Sequence, residues 1–394
     1  MTKPSTLALE TKSVSEQSGI ARAMELLGSR ALRMVLVLLL LWAGLAIHPS
    51  SREGFLSAGN FSNLTAQVSE IVILGIGMTL VILIGGIDLS VGAGMALCGV
   101  VAAKLQIDHH QPAWVAILAA LAVGSVMGLW HGILVSRFQL PPFIATLSGL
   151  LAYRGLGLVI SDARGLSPMG QDFAFLGSRM ARTPSFVVIA AGFMAGVMIL
   201  LRRDRRRRDL NLPARGAPLA LSIAAIVAVT AFVITIYQDG VPVPVLLAAT
   251  TAAGGALLLR RTRLGRYAFA IGGNAEAARL TGVPVQRVTI LVYLLIGVLT
   301  AVAGLIAASR TNGVTPGNMG LTRELHVITA VVIGGTSLSG GKGTIVGTVI
   351  GALIFGTLSN GMEMLDVNSN WQLILTGMIL LFASLLDSPA IRKR

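Results

Sequence analysis

Lys342 stands in a glycine-rich string, 333-IGGTSLSGGKG-343, that at first sight could hold a phosphate group. A phosphate-binding loop of the Walker type needs a glycine five residues before the glycine that precedes the lysine, and a serine or threonine directly after the lysine. This chain has Thr336 and Gly343 at those two places. The string therefore does not predict ATP binding by this chain.

The sequence offers no better support for metal or nucleophile chemistry. His109 and His110 form a lone pair in a short polar stretch, and Cys98 is the single cysteine. No cluster of His, Cys and Asp has the spacing of metal ligands, and no nucleophile is accompanied by a base in a known pattern. We therefore predict that the chain is not an enzyme and has no cofactor and no metal site.

A second glycine-rich string, 84-IGGIDLSVGAG-94, places Asp88 and Ser90 in an apolar region, where an ionisable side chain is costly and often functional. One interpretation is that the two residues form a gate or an inner contact. The other, which we favour, is that Asp88 caps the following helix by accepting from its free amides. A capped helix end can still belong to a moving gate.

Composition indicates a membrane protein built from helices. The 394 residues are 54% hydrophobic and only 12% charged, about half the charged fraction of a soluble domain, and their mean hydropathy is +0.79. Apolar runs that approach the roughly 20 residues needed to span a bilayer recur along the chain. We predict an all-α, polytopic fold with about ten to twelve transmembrane segments.

The predicted domain organisation is simple. Residues 1–30 form a mobile cytoplasmic tail, 31–388 a single transmembrane domain, and 389–394 a basic cytoplasmic tail. The predicted segments are 31–47, 64–84, 91–104, 113–136, 143–160, 185–201, 219–237, 243–260, 288–309, 324–339, 344–359 and 371–387.

The charge distribution orients these segments. The net charge of +14 would suggest nucleic acid for a soluble protein, but here the bases cluster in loops between apolar runs. The string 202-RRDRRRRDL-210 is the densest cluster. The positive-inside rule then places both termini in the cytoplasm of a multi-pass inner-membrane protein. The arginine cluster could also bind anionic lipid headgroups, and no nucleic-acid partner is expected.

The longest polar insert in the apolar second half is 264-LGRYAFAIGGNAEAARLTGVPVQR-287, and its middle predicts a short helix. Asn274 suits the N-cap, Glu276 the first turn and Arg279 the last turn. Gly282 can take the left-handed closing position, and Pro284 blocks further helix. Such a helix could be gripped by a partner in the cytoplasm, or it could only cap the bundle, and the residues alone leave both interpretations open.

The two glycine-rich strings form an internal repeat. Residues 84–94 and 333–343 align without gaps, with seven identities in eleven positions. In the predicted topology both copies lie between an inward and an outward segment, so the repeats run parallel. Transporters are often built from duplicated halves, which makes chance similarity of two glycine turns the weaker explanation.

Several strings resemble the sugar-uptake ABC transporter permeases of the ribose, xylose and galactose class. Besides the polar insert, they are 86-GIDLSVG-92, 142-PFIATLSGLLAYRG-155 and 333-IGGTSLSGGKGTIVGTVIGALI-354. The resemblance extends from about residue 60 to residue 388. The insert around 185–260, together with 361-GMEMLDV-367 before Trp371, is most similar to the longer xylose permeases.

This resemblance implies a function and a set of partners. It implies the permease subunit of an importer of a monosaccharide, D-xylose first, that works by alternating access. The implied partners are an ATP-hydrolysing subunit, a periplasmic sugar-binding protein, a second permease copy and membrane lipid. The residues implied to couple to the ATPase subunit are Gly272, Gly273, Asn274, Glu276, Ala277, Ala278, Arg279, Leu280 and Gly282.

A sugar path needs amide and hydroxyl groups, with aromatic faces beside them. The residues that we expect in the gate or the path are Gly86, Asp88, Ser90, Gly335, Ser339 and Asn360. Further candidates for contact with hydroxyl groups are Gln67, Thr79, Thr146, Ser148 and Gln372, with Trp371 and Tyr153 as faces. Glu70 could line the path or simply face the interface. His326 departs from the family, whose members often have an acidic residue there.

Two rival functions remain at this point. An ion-driven secondary sugar transporter would need paired acids within the membrane, of which only Asp88 is plausible, and would leave the insert helix without a purpose. A membrane scaffold or signalling partner would not need broken helices in both halves. Both functions explain fewer features of the sequence than the permease function does.

Overall fold

The computed structural model describes residues 30–209, 226–227, 229–231 and 233–387. The predicted tails, 1–30 and 389–394, lie almost entirely or entirely outside these residues, and the predicted segment 219–237 lies partly outside them. Among the described residues the fold is helical, with two isolated bridges in loops, Leu166–Val314 and Arg179–Pro242, and no strand. The predicted all-α fold class is confirmed.

Besides a short 3-10 helix, Ala174–Leu176, and the helical residues 226–227, 229–231 and 233–236, the described chain contains fourteen α-helices. They are α1 (Arg30–Ile47), α2 (Arg52–Phe55), α3 (Ala58–Leu83), α4 (Val91–Ile107), α5 (Ala113–Ser136), α6 (Pro142–Ile160), α7 (Arg182–Asp209), α8 (Val243–Arg261), α9 (Arg263–Gly273), α10 (Ala275–Leu280), α11 (Val285–Arg310), α12 (Arg323–Ile333), α13 (Ile345–Met364) and α14 (Ser369–Asp387).

Seven of these helices are long and apolar enough to cross a membrane: α3, α5, α6, α7, α8, α11 and α13. Shorter apolar helices cover residues 32–47, 91–107 and 369–382. The predicted segment 324–339 was wrong in its extent, since α12 ends at Ile333 after 11 residues. A helix of that length rises about 16 Å, roughly half the thickness of a bilayer core. The glycine pair that follows it ends the helix before it can cross.

Helix α3 is the centre of the molecule. It has 26 residues, and 89% of its most apolar stretch is buried inside the protein. Ser57 caps its first turn by accepting from the amide of Asn60, so the helix begins six residues earlier than the apolar pattern predicted. A helix that is apolar on all sides needs neighbours on all sides. Helices α8, α11, α12 and α13 pack around it.

Helices α5 and α11 approach each other very closely. Gly124, Gly128 and Gly132 are spaced by four residues and therefore lie on one face of α5, and this face packs against the backbone of α11 around Gly297. A Cβ atom at Gly128 would overlap the carbonyl oxygen of Tyr293. Small residues at this spacing let two membrane helices pack backbone to backbone.

We expect Gly128→Ala to destabilise the fold by about 1–3 kcal/mol, because the added methyl group must push α5 away from α11. Gly155→Ala, in α6, is the matched control, since nothing lies within 4 Å of its Cβ position. Replacing that glycine should be neutral or slightly stabilising. Unfolding midpoints of the purified chains in detergent test this, and equal midpoints for the two variants would contradict the close approach.

Candidate functional site

The two glycine-rich strings form turns that close their helices in the same way. Gly85, after α3, has φ +82° and Gly335, after α12, has φ +93°. In each turn the next amide donates to a carbonyl five residues earlier, Gly86 to Val81 at 2.9 Å and Thr336 to Val331 at 3.2 Å. This is a Schellman closure, in which a left-handed glycine satisfies the last carbonyls of a helix.

The two copies differ by one position in this motif. The ungapped alignment pairs Gly85 with Gly334, but the left-handed residue of the second copy is Gly335. The cause is that α12 continues one residue further than α3, to the isoleucine at its end. The second turn is also longer, since Ser337–Lys342 forms an extra loop before α13 begins. The two copies therefore share the glycine turn that ends the helix, but they differ in the length of the loop that follows it.

The turns meet at one point, which we call the glycine junction and define as Leu83, Gly272, Gly340 and Gly341. The amide of Gly341 donates to the carbonyl of Leu83 at 3.0 Å. Gly272, near the end of α9, lies against this hydrogen bond, and a Cβ atom there would overlap the Leu83 oxygen and the Gly341 nitrogen. The insert thus contacts both helix breaks directly, and the two breaks lie side by side, as expected for parallel copies.

The predicted short helix of the insert is confirmed as α10. The side chain of Asn274 accepts from the amide of Ala277 at 2.9 Å, and Gly282 closes the helix with φ +84°. The insert also contains α9, which was not predicted, so Asn274 ends one helix and caps the next. Glu276 and Arg279 pair at 3.1 Å on the exposed surface, where an ion pair contributes little.

The residues of α10 differ in their exposure to solvent. Ala278 is buried, whereas Leu280 is 79% exposed. Gly273 has open space at its Cβ position, in contrast to its neighbour Gly272. A single exposed apolar side chain does not by itself mark a partner site. The role of these residues in coupling stays a prediction.

Asp88 is 3% exposed and begins a polar chain. Its Oδ1 accepts from the amide of Ser90 at 2.8 Å and from the hydroxyl of Ser90 at 2.6 Å. The Ser90 hydroxyl lies 3.5 Å from Nδ1 of His131 on α5, and Nε2 of His131 lies 3.2 Å from the hydroxyl of Tyr153 on α6. Asp88 therefore accepts from the amide of Ser90, the N-cap residue of α4, and not from amides deeper in that helix. Through Ser90 and His131 it is also linked to α5 and α6.

The other predicted path residues do not all lie near Asp88. Gly86 lies near Tyr293, whose hydroxyl would be 2.8 Å from a Cβ atom at Gly86. Ser339 pairs with Ser337 at 2.9 Å within the second turn. Asn360 instead exchanges two hydrogen bonds, at 3.1 and 3.0 Å, with Asn60 at the far end of α3. That end is about 38 Å from the glycine turns, given the rise of the helix.

Most of the further candidates for sugar contact hold the protein together instead. Thr79 and Thr348 bond each other at 2.6 Å between α3 and α13, and Thr146 donates to the carbonyl of Ile87 at 3.0 Å. The ring of Tyr153 is buried beside His131, and Trp371 is 60% exposed on the outside of the bundle.

An ion-pair cluster at the middle of α3 was missed by the sequence analysis. Glu70 is 1% exposed, and its two carboxylate oxygens pair with Arg310 at 2.6 Å and with Arg323 at 3.4 Å. The arginines end α11 and begin α12, so the cluster joins three helices. The available signal was that Arg310 and Arg323 stand at the two ends of the loop between the predicted segments 288–309 and 324–339.

Comparison with known proteins now adds to this geometry. Residues 60–384 match a family described as the permease component of branched-chain amino acid transport systems. The chain belongs to this permease family. The match includes both glycine turns, the insert helices and the Glu70 cluster, so the features described above lie within the family's common region.

Curated relatives in this permease family are named for sugars. The xylose transport system permease of Escherichia coli strain K12 is 40% identical over 346 residues, which cover 86% of this chain and 87% of the relative. The xylose permease of Haemophilus influenzae is 37% identical over 92% of this chain and 98% of its own.

A ribose import permease of Escherichia coli strain K12 is 35% identical over 96% of this chain and 99% of its own. No solved structure gives a significant match. The resemblance to sugar-uptake permeases, the xylose permeases foremost, is confirmed. His326, the departure from the family pattern, lies against Phe355 with ring centroids 4.9 Å apart and ring planes tilted by 39°. This contact places it between α12 and α13.

We expect Gly272→Ala to disturb the glycine junction, because its methyl group would overlap backbone atoms that cannot move independently. Gly273→Ala is the matched control at the adjacent position, where the space is open. The first variant should lower the unfolding midpoint and lose most transport activity, while the second keeps both. If both variants retain transport equally, the packing of Gly272 against the two turns is not needed for transport.

Proposed function

We propose that this chain is the membrane-spanning permease subunit of an ATP-binding-cassette importer that moves a monosaccharide, with D-xylose the favoured substrate. The names of the curated relatives support the substrate class, and the higher identity to xylose permeases favours xylose over ribose. The observation that carries the mechanism is the contact of the insert with both glycine turns through Gly272.

In this function the chain does not hydrolyse ATP. An ATPase subunit grips α10, whose exposed Leu280 offers an apolar contact. Closure of two such subunits on ATP moves the α9–α10 unit, and the glycine junction passes the motion to the turns after α3 and α12. Two permease copies in the bacterial inner membrane rock against each other, and the path between them opens outward and then inward, with a periplasmic binding protein delivering the sugar.

An ion-driven carrier is the alternative, and the chain Asp88–Ser90–His131–Tyr153 is the observation in its favour. Such a chain of hydrogen-bonded groups could carry a proton. It would, however, leave the exposed and capped α10 without a role. The two functions differ in the energy source that they require.

Reconstitution decides between them. We expect labelled xylose to enter proteoliposomes that contain this chain, its ATPase and its binding protein, with ATP on the ATPase face and no ion gradient. Uptake by this chain alone under a proton gradient would overturn the proposal. ATP-driven uptake of ribose but not of xylose would retain the mechanism and replace the substrate.

Leu280 tests the contact with the ATPase subunit. We expect Leu280→Ser to weaken binding of that subunit by roughly thirtyfold or more, as loss of an apolar anchor does, without lowering the stability of the exposed site. Leu321→Ser is the control, since Leu321 is also exposed but follows the opposite end of α11. Co-purification and binding titration in detergent measure both variants, and equal affinities would contradict the docking role of α10.

A further inference from the structure

A polar cavity of about 490 Å³ opens beside the Glu70 cluster. It lies between the first half of α3, the end of α11, the loop that leads to α12 and the loop around residues 165–167. Its size is within the range of about 300–1,000 Å³ that small-molecule sites occupy. Because Glu70 lies 13 residues before Leu83 on α3, or about 20 Å along the helix, the cavity is separate from the glycine junction.

The chemistry of the wall distinguishes this cavity from others of similar size. A cavity of about 430 Å³ between α4, α5 and α6 is lined by side chains such as Leu97, Trp130 and Leu156. Another, of about 410 Å³, is lined by Ile189, Phe193 and neighbours that are almost all apolar. Both have the character of lipid-facing grooves. The cavity beside Glu70 instead presents an acid, two guanidinium groups and two amides.

The charged groups are held in place but still have free hydrogen-bonding capacity. Glu70 fixes Arg310 and Arg323, whose side chains are 28% and 23% exposed. A guanidinium group has five N–H donors, and a carboxylate has about four acceptor positions. The pairs therefore offer acceptors and donors side by side, which is what adjacent hydroxyl groups of a sugar require.

Two amide side chains on the wall have no partner within the described part of the chain. Gln67, one turn before Glu70 on α3, is half-buried, and Asn318 lies in the loop opposite. No described group accepts from or donates to either side-chain amide. Both side-chain amides are therefore free to bind water or a ligand in the cavity. Met95 and Met319 add adaptable apolar surface, which suits the C–H side of a sugar ring.

We propose that this cavity is a binding station for a neutral monosaccharide within the permease itself. Glu70 and the two arginines bind neighbouring hydroxyl groups, and Gln67 and Asn318 bind those on the opposite side. The inference rests on the proposed function for the identity of the cargo, and it adds that the permease recognises the sugar through its own residues rather than leaving recognition wholly to a delivery protein.

Cysteine protection tests the station directly. Cys98 is fully buried, so a thiol placed at Thr315, which lines the cavity and is exposed, would be the reactive one. The full chain carrying Thr315→Cys is placed in lipid nanodiscs and treated with a water-soluble maleimide. We expect xylose to slow the labelling severalfold, and proline at equal osmolarity to leave it unchanged. Asn370→Cys, exposed on α14 outside the cavity, is the control and should show no protection.

A second substitution separates binding from folding. Gln67→Met keeps the side-chain volume and removes the amide, so the sugar concentration that gives half protection should rise about three- to tenfold, as loss of one hydrogen bond predicts. The labelling rate without sugar and the unfolding midpoint should not change. If that variant fails to fold, Asn318→Ala serves the same purpose, because Asn318 is exposed in a loop.

The outcomes are distinguishable from those of the proposed function. Absence of protection by xylose or ribose in a Thr315→Cys chain that still supports ATP-driven sugar uptake would overturn the station and leave the importer standing. Protection by xylonate that exceeds protection by xylose would also overturn it, in favour of an anion site. Protection without any ATP-driven uptake would support the station and remove the proposed energy source.

Discussion

The hydrogen bond from the Gly341 amide to the Leu83 carbonyl is the contact on which the architecture depends. A helix that stops within a membrane protein leaves backbone groups that lipid cannot satisfy, so such a break must be covered by protein. The described chain has two such breaks, after α3 and after α12, and an amide of the second satisfies a carbonyl at the end of α3. Gly272 lies on the bond because only a residue without a side chain leaves room for three backbones at one point.

Helix α3 rigidly connects the glycine junction with the ion pairs of Glu70. Helix α3 carries Leu83 of the glycine junction at one end, and Glu70, which joins it to α11 and α12, lies more than three turns from that end. Because α3 is buried on all sides, a displacement at the junction is transmitted along the helix rather than absorbed by it. A cytoplasmic partner on α10 and a sugar beside Glu70 would thus act on the same element.

Polar side chains within the helices serve two separate purposes. Pairs such as Asn60 with Asn360 and Thr79 with Thr348 hold neighbouring helices together, and their hydrogen-bonding groups face each other. Gln67 and Asn318 face a cavity and have no such partner among the described residues. A polar residue in an apolar segment is therefore a guide to the path only when its partner is known, and the partner is often hundreds of positions away.

The amino-acid sequence determined the local features of this protein. Hydropathy identified the helical membrane fold, Asn274 and Gly282 identified the bounds of α10, and the repeated glycine strings identified both breaks, because caps, turns and apolar runs depend on residues within a few positions of one another. Family motifs added the permease class. Only the tertiary structure decided that α12 stops short, that Gly272 covers the bond between Leu83 and Gly341, and that Glu70 pairs with Arg310 and Arg323. These contacts join positions 69 to 258 residues apart, and their existence depends on how the helices pack, which no local pattern of residue types encodes.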